Sequence, residues 1–309
     1  MPALQYHRAF VASAVWTLIL ILLGSVVHAT GSSLACPDWP TCYGTMLPAM
    51  EGGVFWEHLH RLVAGGLILM WLLAWWLARR EGASDRIARG CAVGLALLLV
   101  QALLGGVTVL LRLPTAVSTA HLALALLFLA LAVALAVESS PHGAEAAAFP
   151  DSLRSALRGW GGGAAALVLV QSLLGGLVRH LDAGLACPDV PLCLGEFVPP
   201  LDHPLVALHF FHRALAVITA LVATGAVIAI ARAGARGRVL QLAMGALGLM
   251  LVQVALGIWS VTGLLAVLPV SLHTLVAALL FASTVALQRW GALSVRRPVA
   301  TYPVAGALP

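Results

Sequence analysis

The sequence predicts an all-α integral membrane protein whose eight transmembrane helices form two tandem four-helix bundles, related by a pseudo-two-fold axis along the membrane normal. Three observations lead to this fold class. The 309-residue chain is 61% hydrophobic and 9% charged, whereas soluble domains carry about 25% charged residues. Eight apolar runs are each long enough to cross a bilayer as a helix, which takes about 20 residues. An internal repeat relates the first four runs to the last four.

The apolar runs define the elements in chain order. They cover residues 9–29, 55–78, 90–111, 117–137, 160–179, 205–231, 239–260 and 270–290. Because backbone amides find no water partner in lipid, runs this apolar are helices, and the alternating pattern of a transmembrane barrel is absent from the sequence. The first run is interpreted as a retained span, since it is longer than a usual signal-peptide core and lacks a clear A-x-A site.

The basic residues indicate how the chain is oriented. All 17 are arginines, and the net charge is +5. Thirteen of them fall at the termini or in the connections between spans 2 and 3, 4 and 5, and 6 and 7. By the positive-inside rule, both termini of a multi-pass cell-membrane protein are then cytoplasmic. The arginines act as orientation signals, and no nucleic-acid partner is expected.

Four sequence markers recur in the same order at a nearly constant offset. The matches are ACPDWPTC at 35–42 with ACPDVPLC at 186–193, His-Arg at 60–61 with 212–213, VQALLGG at 100–106 with VQVALGI at 252–258, and His121 with His273, at offsets of 151 or 152 residues. Each half holds four spans, so both halves share one orientation and the repeat is parallel. We predict an N-terminal half at 1–140, a cytoplasmic linker at 141–158 and a C-terminal half at 159–309.

Four of the five cysteines form two C-x5-C pairs in the long outer loops. The outer side of a bacterial-type membrane is oxidising, so Cys36–Cys42 and Cys187–Cys193 are predicted disulfides. The favoured role of both disulfides is structural, closing the loops. A redox or haem-delivery role for the first pair stays open. Zinc binding fits poorly, because C-x5-C without further ligands is unusual zinc spacing. Cys91 is expected to be a free, inert thiol.

A histidine lies a few residues into each even-numbered span. These are His60, His121, His212 and His273. With the predicted orientation all four lie near the outer edge at one depth, and ionisable residues inside a membrane are functional candidates. Two imidazoles at matched height on different helices are what axial ligation of a haem requires. The sequence therefore predicts one bis-histidine haem site in each half.

Neighbouring polar residues extend these candidate sites. Arg61 and Arg213 directly follow two of the histidines and are predicted to bind haem propionates, with interfacial anchoring as the alternative. His58 is on roughly the opposite helix face from the ligand and is a poor co-ligand. His209 shares a face with His212, and a role as competing ligand or as a contact to the macrocycle is left open.

Three odd-numbered spans carry a glutamine four residues before a glycine. The residues are Gln101, Gln171 and Gln253, and the first span has LILLG ending at Gly24 without a glutamine. Small residues allow helices or a flat cofactor to approach closely, so packing is the favoured role of the glycines. The glutamines are either interhelical hydrogen-bonding residues or the lining of a polar path.

The two halves differ at Glu57, whose counterpart is His209. Glu57 precedes His60 by three residues and shares its helix face, where a carboxylate suits proton transfer. The first half is therefore interpreted as the reactive one. With its eight spans, duplicated halves, first-loop C-x5-C pair, E-x-x-H-R at 57–61 and a histidine in each even span, the sequence resembles the haem A synthase family.

The resemblance implies an oxidoreductase that converts haem O to haem A. The C8 methyl would become a formyl group through two successive hydroxylations and loss of water. Substrate haem O would lie between His60 and His121, with Glu57 handling protons or binding the hydroxylated intermediate. A permanent haem b between His212 and His273 would relay electrons. The oxygen source, O2 or water, and the question of whether an axial ligand leaves the iron are not decided by the sequence.

The implied partners are a haem O synthase, an electron donor such as a quinol, and the lipid bilayer; a homo-oligomer is compatible with the sequence. The main alternative function is a bis-histidine dihaem cytochrome that oxidises quinol and only transfers electrons, with Glu57 as the proton acceptor. A second alternative is a haem-free transporter built from parallel repeats.

Overall fold

The computed structural model describes residues 5–142 and 148–293, and this part of the chain is helical apart from loops and two isolated β-bridges. Eight of its helices are long and apolar enough to cross a membrane. They are α1 Gln5–Ala29, α2 Gly52–Arg80, α3 Asp85–Leu110, α4 Thr115–Glu138, α5 Asp151–His180, α6 Pro204–Arg232, α7 Gly237–Thr262 and α8 Val267–Ala292. Each contains one predicted apolar run, except that the third run ends one residue beyond α3, so the all-helical, eight-span membrane fold is confirmed.

Most helices extend a few residues beyond the apolar runs, because polar residues continue the helix outside the hydrocarbon layer. The largest difference is in α5, which begins at Asp151, inside the predicted linker, and includes a π-helical turn at Leu157–Gly161. Leu153 and Leu157 are both buried there. Their burial stabilises a helical start that the surrounding charges concealed in the sequence. Residues 143–147 of the linker, like residues 294–309 of the arginine-bearing C-terminal tail, lie outside the described residues.

The helices pack as two successive bundles. In the first, α1, α2, α3 and α4 contact one another in chain order and α4 packs back on α1; in the second, α5 to α8 repeat this arrangement. The two bundles meet through α1 and α4 on one side and α5 and α8 on the other. Short connections between antiparallel neighbours account for this up-and-down topology.

Two residue pairs at the interface between the halves lie within one position of repeat equivalence. The rings of His28 and His180 lie 5.2 Å apart at 70°, and the repeat copy of His28 is the adjacent Arg179. Glu138 accepts a hydrogen bond from Arg289, and the repeat copy of Glu138 is the adjacent Trp290. Residues lie this close to their own repeat copies only near the axis that relates the copies. The pseudo-two-fold axis therefore passes between the halves at both ends of the helices.

The end of the molecule that carries the disulfide loops is called the disulfide end. Away from it, the N-terminal bundle is filled by Trp71, which is fully buried between Phe10 and Phe128 at centroid distances of 5.6 and 4.8 Å. Its indole N–H donates to the carbonyl of Cys91 at 2.9 Å, and Cys91 is a buried free thiol as expected. The candidate histidines and Glu57 therefore lie between this apolar block and the disulfide end.

Candidate functional site

Each even-numbered helix places its histidine ring against a glycine of the preceding odd-numbered helix. The pairs are His60 on Gly24, His121 on Gly105, His212 on Gly175 and His273 on Gly257, where an added Cβ atom would lie 3.2, 3.1, 2.9 and 3.1 Å from the nearest ring atom. A larger residue at these four positions would press on the imidazole. The glycines predicted for packing therefore seat the candidate ligands.

The structure places two candidate histidines in each bundle. His60 and His121 lie in the first bundle, and His212 and His273 lie in the second. All four rings are half-buried. The sharing of one iron by the two imidazoles of a bundle stays a prediction.

Two of the glutamines bind the neighbouring histidine directly. Gln101 Nε2 donates to the backbone carbonyl of His121 at 3.0 Å. Gln171 Nε2 donates to the carbonyl of His212 at 2.9 Å and lies 3.1 Å from its Nδ1. Gln101 therefore connects α3 to α4, and Gln171 connects α5 to α6, both at the level of the candidate ligand.

Gln253 holds His273 from both its backbone and its side chain. His273 Nδ1 lies 3.1 Å from the carbonyl of Gln253, so this ring nitrogen carries the proton and donates it. Nε2 then bears a lone pair, and Gln253 Nε2 donates to it at 3.2 Å. A neutral imidazole whose Nδ1–H is held by a carbonyl is the usual state of a metal-ligating histidine.

The first disulfide loop is closed by Cys36–Cys42, and the second by Cys187–Cys193, which confirms the predicted disulfides. In the first loop the Asp38 carboxylate accepts hydrogen bonds from the Thr41 hydroxyl and from the backbone N–H of Gly44 at 2.9 Å. These bonds favour the ionised form and hold the pKa of Asp38 below its ordinary value.

The second loop has the same conformation as the first. Asp189 accepts hydrogen bonds from the backbone N–H groups of Gly195 and Leu194, both at 2.7 Å. The bond from Gly195 is the main reason why the pKa of Asp189 is also lowered. Both loops are therefore built around an aspartate, as the repeated CPD sequence suggests.

Arg61 and Arg213 fasten these loops to α2 and α6. Arg61 Nη1 donates to the carbonyls of Asp38 at 2.7 Å and Thr41 at 2.5 Å. Arg213 makes the equivalent bonds in the second loop. Its partners are the carbonyls of Asp189, Leu192 and Cys187, at 2.8, 2.8 and 2.5 Å. The two arginines thus have a structural role that sequence reasoning did not foresee, and the propionate contact stays a prediction.

Glu57 joins the first loop to Arg61. Its side chain is buried, with Oε2 accepting from the backbone N–H of Cys36 at 2.8 Å and Oε1 paired with Arg61 Nη2 at 2.6 Å. The same helix face carries His60 one turn further on. The carboxylate is therefore positioned between the disulfide loop and the candidate ligand.

His209 takes the place of Glu57 in the second half. Its Nδ1 donates to the carbonyl of Ala183 at 2.9 Å, and its Nε2 accepts from Arg213 Nε at 3.1 Å. Both ring nitrogens of His209 are thus engaged, one by the second loop and the other by Arg213. It substitutes for Glu57 as a support of the loop, without the negative charge.

Sequence reasoning set His58 aside because of its helix face, and the structure places it against the first disulfide. His58 is buried, its Nε2 donates to the carbonyl of Met46 at 3.0 Å, and a ring nitrogen lies within 4.8 Å of the sulfurs of Cys36 and Cys42. The equivalent residue in the second half is Phe210. Comparing positions 58 and 210 across the repeat would have revealed this difference.

The fold and the site define a duplicated eight-helix membrane protein with a pair of glycine-seated histidines in each half. The chain belongs to the COX15-CtaA family of cytochrome oxidase assembly proteins, whose sequence profile matches residues 7–52 and 50–285. The family that the sequence resembles is thereby confirmed.

Relatives with an assigned activity are similar over most of the chain. A protein named haem A synthase from Symbiobacterium thermophilum is 32% identical over 266 residues, which cover 83% of this chain and 86% of the relative. The haem A synthase of Alkalihalophilus pseudofirmus is 30% identical over 218 residues, covering 68% and 71%. That of Caulobacter vibrioides is 29% identical over 350 aligned positions, covering 92% and 96%.

Proposed function

We propose that this chain is an oxidoreductase that converts haem O to haem A, oxidising the C8 methyl of the substrate to a formyl group by successive hydroxylations. The N-terminal half holds the substrate, and the C-terminal half holds a haem b that relays electrons. The observation that carries the proposal is the set of four glycine-seated histidines, two in each bundle. The activity assigned to the relatives supports the same function.

The residues present fit a haem in each half. The donor sets are imidazoles, which haem iron accepts as axial ligands. Four buried atoms beside the candidate ligands lack a hydrogen-bond partner within the described part of the chain: His121 Nδ1 and the side-chain oxygens of Gln101, Gln171 and Gln253. An imidazole N–H can donate to such an unpaired amide oxygen.

The residues of each half have distinct roles in this proposal. His60 and His121 bind the iron of substrate haem O, and His212 and His273 bind that of haem b. Bound haem b supplies one-electron redox chemistry to the site. Glu57 handles protons or binds the hydroxylated substrate, because it lies one turn from His60 on the same helix face.

The arginines at the disulfide end suit the carboxylates of a haem. Arg61 is paired with Glu57, whereas Arg213 donates to His209 and to loop carbonyls. A guanidinium can bind a propionate bidentately. We place the disulfide end on the outer side of the cell membrane and both termini in the cytoplasm, with a haem O synthase and an electron donor such as a quinol as partners.

Coexpression with a haem O source, followed by chromatography of the extracted haems, tests the function. We expect haem A and residual haem O beside haem b. His60→Ala should abolish haem A while haem b remains, and His212→Ala should remove haem b. Haem b in both halves with no haem A would indicate the electron-transfer cytochrome instead, and purified protein without Soret absorbance would contradict any haem role.

A further inference from the structure

The disulfide end of the molecule carries four arginines, which differ in how many of their N–H groups are free. A haem has two propionate carboxylates, and a guanidinium binds a carboxylate most strongly through two parallel N–H groups. A propionate site of this kind therefore needs an arginine with at least two unpaired N–H groups. The four arginines to compare are Arg61, Arg112, Arg179 and Arg213.

Arg61 and Arg213 each use four of the five N–H groups that a guanidinium offers. Arg61 donates two through Nη1 to loop carbonyls, and two through Nη2 to the carbonyl of Cys36 at 3.4 Å and to Glu57 at 2.6 Å. Arg213 donates to three loop carbonyls and to His209. While the loops stay attached, the propionate contact proposed for these arginines is therefore limited to one hydrogen bond each.

Arg179 is the remaining arginine that is shielded from solvent. It is half-buried in the last turn of α5, whereas Arg112 is exposed after the end of α3. Within residues 5–142 and 148–293, the guanidinium of Arg179 makes no hydrogen bond and no ion pair, and the exposed Asp182 acts on it only electrostatically. All five of its N–H groups are therefore available to a ligand.

The course of α5 places Arg179 next to a candidate haem ligand. Arg179 follows Gly175 by four residues, so the two lie on one helix face, with the arginine one turn nearer to the disulfide end. Gly175 seats His212, whose Cε1 would lie 2.9 Å from an added Cβ atom. Carboxylates are costly to bury in an apolar core, so a haem bound at His212 would turn its propionates towards this more polar end.

The first half carries a histidine at the equivalent position. His28 follows Gly24, the glycine that seats His60, by the same four residues. It precedes Arg179 by 151 positions, which is also the separation of the two seating glycines. His28 is half-buried. An imidazole nitrogen gives a carboxylate a single hydrogen bond and carries no permanent charge, so the two halves offer carboxylate contacts of unequal strength.

We propose that Arg179 binds a propionate of the permanent haem in the C-terminal half through two parallel hydrogen bonds, and that His28 is the weaker, equivalent contact to the substrate haem in the N-terminal half. A fixed charge suits a cofactor that stays in place, and a single hydrogen bond suits a substrate that leaves after the reaction. The inference rests on the proposed function, which places haem b at His212 and haem O at His60.

Haem-loss kinetics test this assignment without measuring turnover. Full-length protein from cells with a haem O source is incubated with excess apomyoglobin, which takes up released haem, and the haems that remain are separated by chromatography. Haem b reports on the C-terminal half, and haem O with haem A reports on the N-terminal half. We expect Arg179→Gln to lose haem b about ten-fold faster, because a charge-assisted hydrogen-bond pair is lost. Arg112→Gln, the exposed control, should change neither rate.

The dimethyl ester of haem b shows whether the carboxylate is the group that Arg179 recognises. Haem-depleted protein is reconstituted with haem b or with the ester, which cannot form an ion pair. The wild type should lose the ester about ten-fold faster than haem b, and Arg179→Gln should lose both at the same rate. Arg179→Lys, which keeps the charge without the planar fork, should be intermediate. A purely structural role would speed the loss of ester and haem b equally in Arg179→Gln, which contradicts the inference.

The reverse change tests the first half and remains informative if the Arg179 variants do not fold. His28→Arg supplies a guanidinium there and should slow the loss of haem O and haem A about ten-fold, with haem b unchanged. Equal haem b loss from the wild type and Arg179→Gln would make Arg179 an interfacial anchor only and overturns the inference, as does unchanged haem O loss in His28→Arg. A wild type without haem b contradicts the proposed function instead, so the two failures are distinguishable.

Discussion

Glu57 and His209 occupy equivalent positions and make equivalent contacts, one to Arg61 and the other to Arg213. The loops that they support have the same conformation. At the residue scale, the halves are therefore distinguished by one buried negative charge rather than by a different local structure. A carboxylate that only supported the loop could be replaced by another hydrogen-bonding residue, as the second half shows.

Replacement of Glu57 by Gln tests whether the charge itself matters. Gln can still accept the hydrogen bond from Cys36 N–H, but it cannot neutralise Arg61 or carry a proton. We expect haem A output in cells to fall by about 100-fold or more, the effect of losing a general acid or base, with haem b content unchanged. Glu57→His, which copies the second half, is the matched control and should be equally inactive. Full haem A output from Glu57→Gln would remove the catalytic role.

At the scale of the elements, glycines decide how closely the helices approach. Four glycines seat histidines near the disulfide end, and Gly94 seats Trp71 in the packed block, where an added Cβ atom would lie 2.2 Å from Cζ2 of the indole. Neither Trp71 nor its backbone partner Cys91 can move far, because both are fully buried. The sequence pattern shows such glycines, but their partners are known only from the packing.

Gly94→Ala should separate α3 from α2. Overpacking of this kind destabilises by about 1–3 kcal/mol, so the thermal unfolding midpoint of the detergent-solubilised protein should fall. Gly65→Ala is the control, because nothing lies within 4 Å of an added Cβ at that position. Equal unfolding midpoints for the two variants would show that the Trp71 contact does not limit the packing.

The disulfide loops should respond to acid in a defined direction. The pKa of Asp38 is lowered in the folded loop, so its stabilisation is complete above the ordinary aspartate pKa of about 3.9 and is lost as the pH falls through the lowered value. Hydrogen exchange of the Tyr43 and Gly44 amides should therefore accelerate only below about pH 4, beyond the intrinsic pH dependence of exchange. Asp38→Asn, which cannot titrate, should remove that step.

At the scale of the whole molecule, the two halves of the duplicated chain differ in sequence and pack against each other. Where the halves meet, Glu138 of the first half and Arg289 of the second form a half-buried ion pair. The repeat copies of these residues, Trp290 and Val137, carry no charge. Two like halves would therefore lack this pair, which favours association of an N-terminal with a C-terminal half.

A charge exchange tests this pairing. Arg289→Glu should destabilise the protein by about 1–3 kcal/mol, between the effects for exposed and buried pairs, and Glu138→Arg should act similarly through repulsion. The double exchange restores opposite charges and should recover most of the loss in the thermal unfolding midpoint. Additive loss in the double variant would mean that the pair does not hold the halves together.

By itself, the sequence determined the features that depend on composition and local pattern. Apolar runs of 20 or more residues must become helices in lipid, and a constant offset between motifs establishes the duplication, the disulfide pairs and the candidate histidines. The sequence did not predict the start of α5, because the charges flanking Leu153 and Leu157 concealed their burial. It also did not predict the surroundings of His58, because a helix face does not show which loop covers it.

Tertiary structure alone decided which polar groups meet. That Arg61 holds the first loop, that His209 replaces Glu57 as a support of the second loop, and that Gln101 binds His121 all depend on contacts between residues 20 to 26 positions apart. Hydrogen bonds act over about 3 Å, and only the packed bundle brings such residues within that distance.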